Sequence, residues 1–115
     1  MKVIINVGCG LVGCALLFAV SLAVQARGNE ETGKAKAAQV CAACHGPDGN
    51  KPSDPTQPIL AGQHYDYLVR ALTDYKIGRR SNPIMKAFAT PLSKQDIEDL
   101  AAWFASQKSN LHDQR

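Results

Sequence analysis

Between Gly46 and Gln63 the chain carries Pro47, Pro52, Pro55 and Pro58 together with Gly46, Gly49 and Gly62. Proline lacks the amide donor that a helix interior or a central strand needs, and this density of glycine favours turns, so no regular element can run through the stretch. In a chain of 115 residues that leaves a long ordered loop. A loop of this length in so small a protein usually wraps something or carries function. Regular structure must lie on either side of it.

On the N-terminal side, Lys2 precedes an apolar stretch from Val3 to Val24, and Val24-Gln25-Ala26 has the small-residue pattern of a signal-peptidase site. Export follows, with cleavage after Ala26 separating a leader, residues 1–26, from a domain, residues 27–115. The alternative is an uncleaved anchor, because an apolar run of roughly 20 residues is long enough to span a bilayer. Leu11-Val12-Gly13-Cys14 resembles a lipoprotein cleavage box, but Cys14 lies inside the apolar run, whereas a lipidation cysteine follows it. A domain as short as the one left after cleavage is only marginally stabilised by its own core, so something else should help hold it together.

Outside the loop the apolar pattern is helical. Gly28 to Thr32 reads as a flexible polar segment, with Thr32 as the cap of a first helix. Ala37, Val40, Cys41 and Cys44 recur at i, i+3, i+4 and i+7, which turns both cysteines the same way. Tyr65, Leu68, Leu72 and Tyr75 form a second stripe, closed by Gly78 where a left-handed turn commonly ends a helix. Arg79 to Leu92 reads as irregular. Ser93 and Asp96 then resemble a capping box, and Ile97, Leu100, Ala101 and Phe104 give the apolar face of a final helix. No segment alternates with period two and no repeat is visible, so the fold class is all-α.

Of four cysteines, Cys9 and Cys14 belong to the leader and Cys41 and Cys44 to the domain. In an exported chain the second pair could form a disulfide, a metal clip or a haem attachment, and the next residue decides. Cys41-Ala42-Ala43-Cys44-His45 is the Cys-x-x-Cys-His pattern of c-type haem attachment. Two thiols one helical turn apart can each add to a haem vinyl group, and the adjacent imidazole can reach the iron. A thioredoxin-like redox pair requires a β-α-β setting, and half of a zinc site requires further ligands where only His64 and His112 remain. His64 begins the second helix and His112 lies in the polar tail, so neither is assigned a site.

With these residues in place, the sequence resembles the class I cytochromes c, most closely the small bacterial cytochrome c553 type and one half of a dihaem cytochrome c4. The matching residues run from Ala38 to about Ser106. They are the attachment motif, Pro58-Ile59-Leu60-Ala61-Gly62-Gln63, Tyr67-Leu68, Gly78-Arg79-Arg80-Ser81-Asn82-Pro83-Ile84-Met85, Leu92-Ser93-Lys94-Gln95-Asp96-Ile97 and Leu100-Ala101-Ala102-Trp103-Phe104. The resemblance implies a small cytochrome c fold, with three main helices and long loops wrapped round one covalent haem c attached through Cys41 and Cys44. It implies His45 and Met85 as axial iron ligands, Met85 being the one methionine besides Met1. It also implies that the Pro58 carbonyl accepts a hydrogen bond from His45 Nδ1, and that Leu100 and Trp103 pack against the helix bearing Cys41. Tyr65, Tyr67 and Tyr75, whose helical spacing suits a core stripe, read as packing and hydrogen-bonding groups rather than radical carriers.

A protein of this kind is expected to be a periplasmic electron carrier and not an enzyme, its iron cycling between Fe(II) and Fe(III) with both axial ligands bound. The rival readings are a haem subunit of a larger oxidoreductase and, with Met85 weakly bound, a gas or redox sensor. A net charge of +3 is too small for a nucleic-acid partner. Its distribution says more, because Lys76, Arg79, Arg80, Lys86 and Lys94 fall between Tyr75 and Gln95 with no acidic residue among them. These cations either are solvated or balance the haem propionates, or else they steer an acidic-faced redox protein or a membrane-bound oxidase or reductase. Membrane contact of the chain itself is expected only if the leader is retained.

Overall fold

The computed structural model describes residues 27–109; the leader, its cleavage site and the tail with His112 lie outside the described residues. Five helices follow one another: α1 (Glu30–Val40), α2 (Ala42–His45), α3 (Tyr65–Ile77), α4 (Pro83–Ala89) and α5 (Lys94–Ser106). No strand occurs among the described residues, so the domain is all-helical.

The first helix starts earlier than its sequence indicates. Asn29, not Thr32, is the cap, its Oδ1 accepting from the Thr32 amide at 2.9 Å. Glu30 and Glu31 then occupy the first turn, where acidic side chains complement the helix dipole. The polar lead-in is thus the opening of α1 itself. It is also tied down, since the Asn29 amide donates to Asp99 Oδ1 of α5 at 2.7 Å.

Helices α1 and α5 make the largest helix pairing of the domain. Gly33 is buried where they cross, and a Cβ there would run into the Asp99 carbonyl of α5. Ala37, Leu100, Ala101 and Phe104 fill the adjoining core, with Leu100 fully buried. Trp103 packs on its edge, under the Lys34 ammonium, and donates through Nε1 to the Pro47 carbonyl at 3.3 Å. The start of α5 is fixed by a capping box: Ser93 Oγ accepts from the Asp96 amide at 3.0 Å, and Asp96 Oδ2 accepts from the Ser93 amide at 2.8 Å.

Helix α3 lays Leu68, Leu72 and Tyr75 onto this core and ends at Gly78, whose φ of 79° is the left-handed turn its position predicts. Tyr67 lies off that stripe and is exposed, and of the expected packing and hydrogen-bonding roles it keeps the second, its hydroxyl accepting from Arg80. The segment from Arg79 to Leu92 is also not irregular throughout. Asn82 Oδ1 accepts from the Met85 amide at 3.0 Å and Pro83 takes the first helical position, so residues 83–89 form α4. Proline at that position gives up an amide that would have no intrahelical partner and pre-sets φ for the helix.

The proline-rich loop is ordered by its own backbone. The Gly49 carbonyl accepts from Leu60 at 2.9 Å, the Ser53 amide donates to the Cys44 carbonyl at 2.9 Å, and the Gly62 amide donates to the Phe104 carbonyl at 2.8 Å. The loop is thereby stitched to both α2 and the end of α5.

Candidate haem-binding site

Between α2, the loop, α3 and α4 lies a cavity of about 490 Å³. Cys41, Cys44 and His45 of the attachment motif, Pro58 of the loop and Met85 of α4, from three separate segments, all line it. Its remaining wall is mostly apolar, with Ile59 and Leu60 from the loop, Leu68 and Leu72 from α3, and Ile84 and Phe88 from α4.

The attachment motif folds as a one-turn helix after a break. Cys41, at φ −114°, closes α1, and its carbonyl accepts from both the Cys44 and the His45 amides, at 3.2 and 3.0 Å. One turn therefore presents both half-buried thiols to the cavity, as their spacing predicts. Burial, reinforced by the neighbouring Cys44, pushes the Cys41 thiol up to about 11. An unreacted Cys41 is accordingly a thiol rather than a thiolate at neutral pH.

His45 is buried, with 6% of its surface exposed, and its Nδ1 lies 3.0 Å from the Pro58 carbonyl. A carbonyl can only accept, so this contact requires the Nδ1–H tautomer and leaves Nε2 with its lone pair. No buried side-chain nitrogen or oxygen among the described residues is left without a partner, and the His45 ring lines the cavity. Met85, half-buried, borders the same space from α4.

Tyr67 and Tyr75, which sequence reasoning left out of the site, also line it, together with Arg80, one of the cations expected to be solvated, to balance the haem propionates or to steer a partner. Arg80 lies 4.9 Å from the Tyr75 ring centroid and 6.0 Å from that of Tyr67, and its Nη1 donates to the Tyr67 hydroxyl at 3.3 Å. That hydrogen bond, outweighing partial burial, strengthens its protonated form. Of the five basic residues between Tyr75 and Gln95, Arg80 alone borders the cavity. Arg79 and Lys94 pair with Asp74 and Glu98 at 3.4 and 3.7 Å, and Lys76 donates to two backbone carbonyls. Tyr67 and Arg80 stand in segments that carry the family resemblance, but no spacing announces that they meet each other and Tyr75.

The residues present fit a covalently held haem. A cavity in the cofactor range of roughly 300–1,000 Å³ offers apolar walls to a macrocycle, with two thiols one turn apart, an oriented imidazole and a thioether at its border. Such an all-helical domain, with Cys-x-x-Cys-His on the wall of an apolar cavity, is the design of a c-type cytochrome.

Residues 30–108 match the Cytochrome c family, and the chain belongs to it. Over 101 residues it is 46% identical to cytochrome c4 of Pseudomonas aeruginosa, a match covering 88% of this chain and 49% of that protein. It is 37% identical over 95 residues to a thiosulfate dehydrogenase electron acceptor of Stutzerimonas stutzeri, covering 80% of this chain and 44% of that one. The crystal structure of reduced recombinant cytochrome c4 from Pseudomonas stutzeri superposes with a TM-score of 0.66 at 45% identity, covering 71% of this chain and 47% of that chain. The chain spans about half the length of the curated relatives it matches. Its fold is the class I cytochrome c fold, and it carries one covalently bound c-type haem.

Proposed function

We propose that this chain is a single-haem electron carrier, and not an enzyme, in which Cys41 and Cys44 hold the haem as thioethers while His45 Nε2 and Met85 Sδ are the axial iron ligands. The observation that carries this reading is the convergence of all four side chains on one cavity, with His45 already oriented by the Pro58 carbonyl. When bound, the haem supplies a one-electron Fe(III)/Fe(II) couple, whose potential a methionine–histidine pair raises. The chain's own residues do the rest. Pro58 holds the imidazole tautomer and ring plane, apolar side chains of α3 and α4 exclude water, and Asn82 fixes the backbone amide of Met85. Arg80, the one cation of the Tyr75–Gln95 stretch at the cavity, is placed to balance the haem carboxylates.

Optical spectra of the purified protein test the assignment. A haem band that survives denaturation, with weak near-infrared-edge absorption in the ferric state that disappears in Met85→Ala, is the expected result. Absence of covalent haem, or rapid carbon monoxide binding to the reduced protein, would overturn it.

A second reading, an electron-transfer subunit or acceptor serving a larger oxidoreductase, is favoured by the similarity to the thiosulfate dehydrogenase acceptor. Ile84 and Phe88, 66% and 44% exposed at the cavity mouth, give such a partner an apolar contact beside the cations Arg80 and Lys86. Copurification with a catalytic subunit would decide for it. The leader, residues 1–26, makes the periplasm the proposed location of the cytochrome domain, residues 27–115. Among the described residues no helix is long and apolar enough to cross a membrane.

A further inference from the structure

Helix α4 is fastened at both ends to the last turns of α3. On the near side, just past the Gly78 turn, the Arg80 amide donates to the Asp74 carbonyl at 3.0 Å. On the far side, Lys76 Nζ lies 2.6 Å from the Thr90 carbonyl and 2.6 Å from the Leu92 carbonyl. Thr90 caps the C-terminus of α4, and Leu92 is the core residue at which the chain turns toward α5. Carbonyls at a helix C-terminus have no intrahelical donor and carry the negative end of the dipole, so an ammonium group is the side chain best suited to close them.

The strap between these two fastenings needs them. Seven residues are far too few for a helix stable on its own. Pro83, Ile84, Lys86, Ala87 and Phe88 are exposed, and only Ala89 enters the core. Met85 lies near the middle. A segment with so few buried contacts opens at low cost unless its ends are fixed. Of the neighbouring cations, Arg79 pairs within the α3 turn region and Lys94 pairs along α5, so neither reaches the C-terminal end of α4.

We propose that Lys76 is a positioning residue for the haem site: by bridging α3 to the carbonyls of Thr90, which caps α4, and of Leu92, just beyond it, Lys76 keeps Met85 on the cavity wall and so at the iron. This rests on the reading of Met85 as an axial ligand. The bridge makes the last turn of α3 the common support of both ends of the Met85 strap.

The test uses the haem-loaded full chain and equilibrium binding of imidazole to the ferric form, which competes with Met85, read together with the near-infrared-edge band. Lys76→Met keeps the stem and removes the donors, and it should tighten imidazole binding by about tenfold or more and weaken the band. Lys76→Arg, which can still donate to both carbonyls, should stay within about threefold of the wild type. Asn29→Ala, at the far α1–α5 corner, should lower resistance to denaturant without moving imidazole affinity. If Lys76→Met does not accumulate as holoprotein, Lys76→Gln should show the same tightening in milder form. A wild type with the band and a Lys76→Met or Lys76→Gln protein with unchanged affinity sinks the role of Lys76 alone. Equal tightening in Asn29→Ala also sinks it, by showing mere loosening of the fold. A wild type without the band, or one indistinguishable from Met85→Ala, sinks the ligand assignment and this proposal with it.

Discussion

At the scale of single residues, the histidine of the motif depends on an atom that no side-chain substitution removes. Pro58 contributes a carbonyl to His45 Nδ1, and what its ring adds is a restricted φ in an exposed loop. Pro58→Ala keeps the carbonyl and frees the unfolded chain. It should lower stability by about 0.4–1 kcal/mol while leaving the ferric and ferrous spectra unchanged. Urea midpoints and optical spectra of the two holoproteins check both halves, and a changed axial spectrum would show that the ring itself is needed. The same scale shows what the sequence could carry. Cys41, Cys44 and His45 are legible because their chemistry is written in adjacent positions. The contacts of Arg80 and Lys76 are not, although both are among the expected cations, because each meets groups 5 to 16 residues away, across turns whose path no local pattern specifies.

At the scale of elements, the three long helices are legible from their apolar faces and α4 is not. Seven residues make about two turns, too few for a period to declare itself, and Ile84 and Phe88 face outward beside a cavity rather than inward to a core. Only the Asn82-Pro83 pair marks its start. The crossing of α1 and α5 is likewise invisible in periodicity, since Gly33 looks like a weak helix residue. Alanine there would gain about 1 kcal/mol in helix propensity. Its Cβ would nevertheless meet the Asp99 backbone carbonyl, which cannot rotate aside, and overpacking of that kind costs about 1–3 kcal/mol or more. Gly33→Ala should therefore destabilise the holoprotein despite the better propensity, and thermal unfolding would show it; a raised midpoint would mean that the helices slide apart cheaply. The capping box of α5 predicts a pH dependence. Hydrogen bonding from the Ser93 amide, assisted by the Ser93 hydroxyl and Lys36, holds the Asp96 carboxyl below its ordinary 3.8. A depressed folded-state value means that the stabilisation is present above the ordinary value and is lost as pH falls through the folded one. Asp96→Asn should cost about 0.5–1 kcal/mol at pH 7, a modest figure for a partly exposed cap. The gap between its urea midpoint and that of the wild type should close as pH falls below 3.8.

At the scale of the whole molecule, the proline-rich loop already implied a chain wrapped round something, and the reason is energetic. The described core is assembled as much from alanines as from larger apolar residues, with Leu100 the one large side chain fully buried. Against it stands a cavity of about 490 Å³. Left empty, a space of that size sets the apolar side chains of α3 and α4 that line it against water, and so removes part of the burial that would stabilise so small a core. The chain without haem should therefore not keep this structure: Leu68, Leu72, Phe88 and Ala89 would lose the surface they border, and α4 would lose its reason to stay folded. Cys41→Ser/Cys44→Ser protein, purified free of haem, should unfold in urea over a broad, weakly cooperative range. Limited proteolysis should cut it between residues 79 and 92 far sooner than the holoprotein. The α1–α5 pair, closed by Asn29, Asp99 and the capping box, should retain the most helix. A sharp transition with the circular dichroism of the holoprotein would show instead that the polypeptide alone supports the cavity, and that the haem is seated in a finished fold rather than completing it.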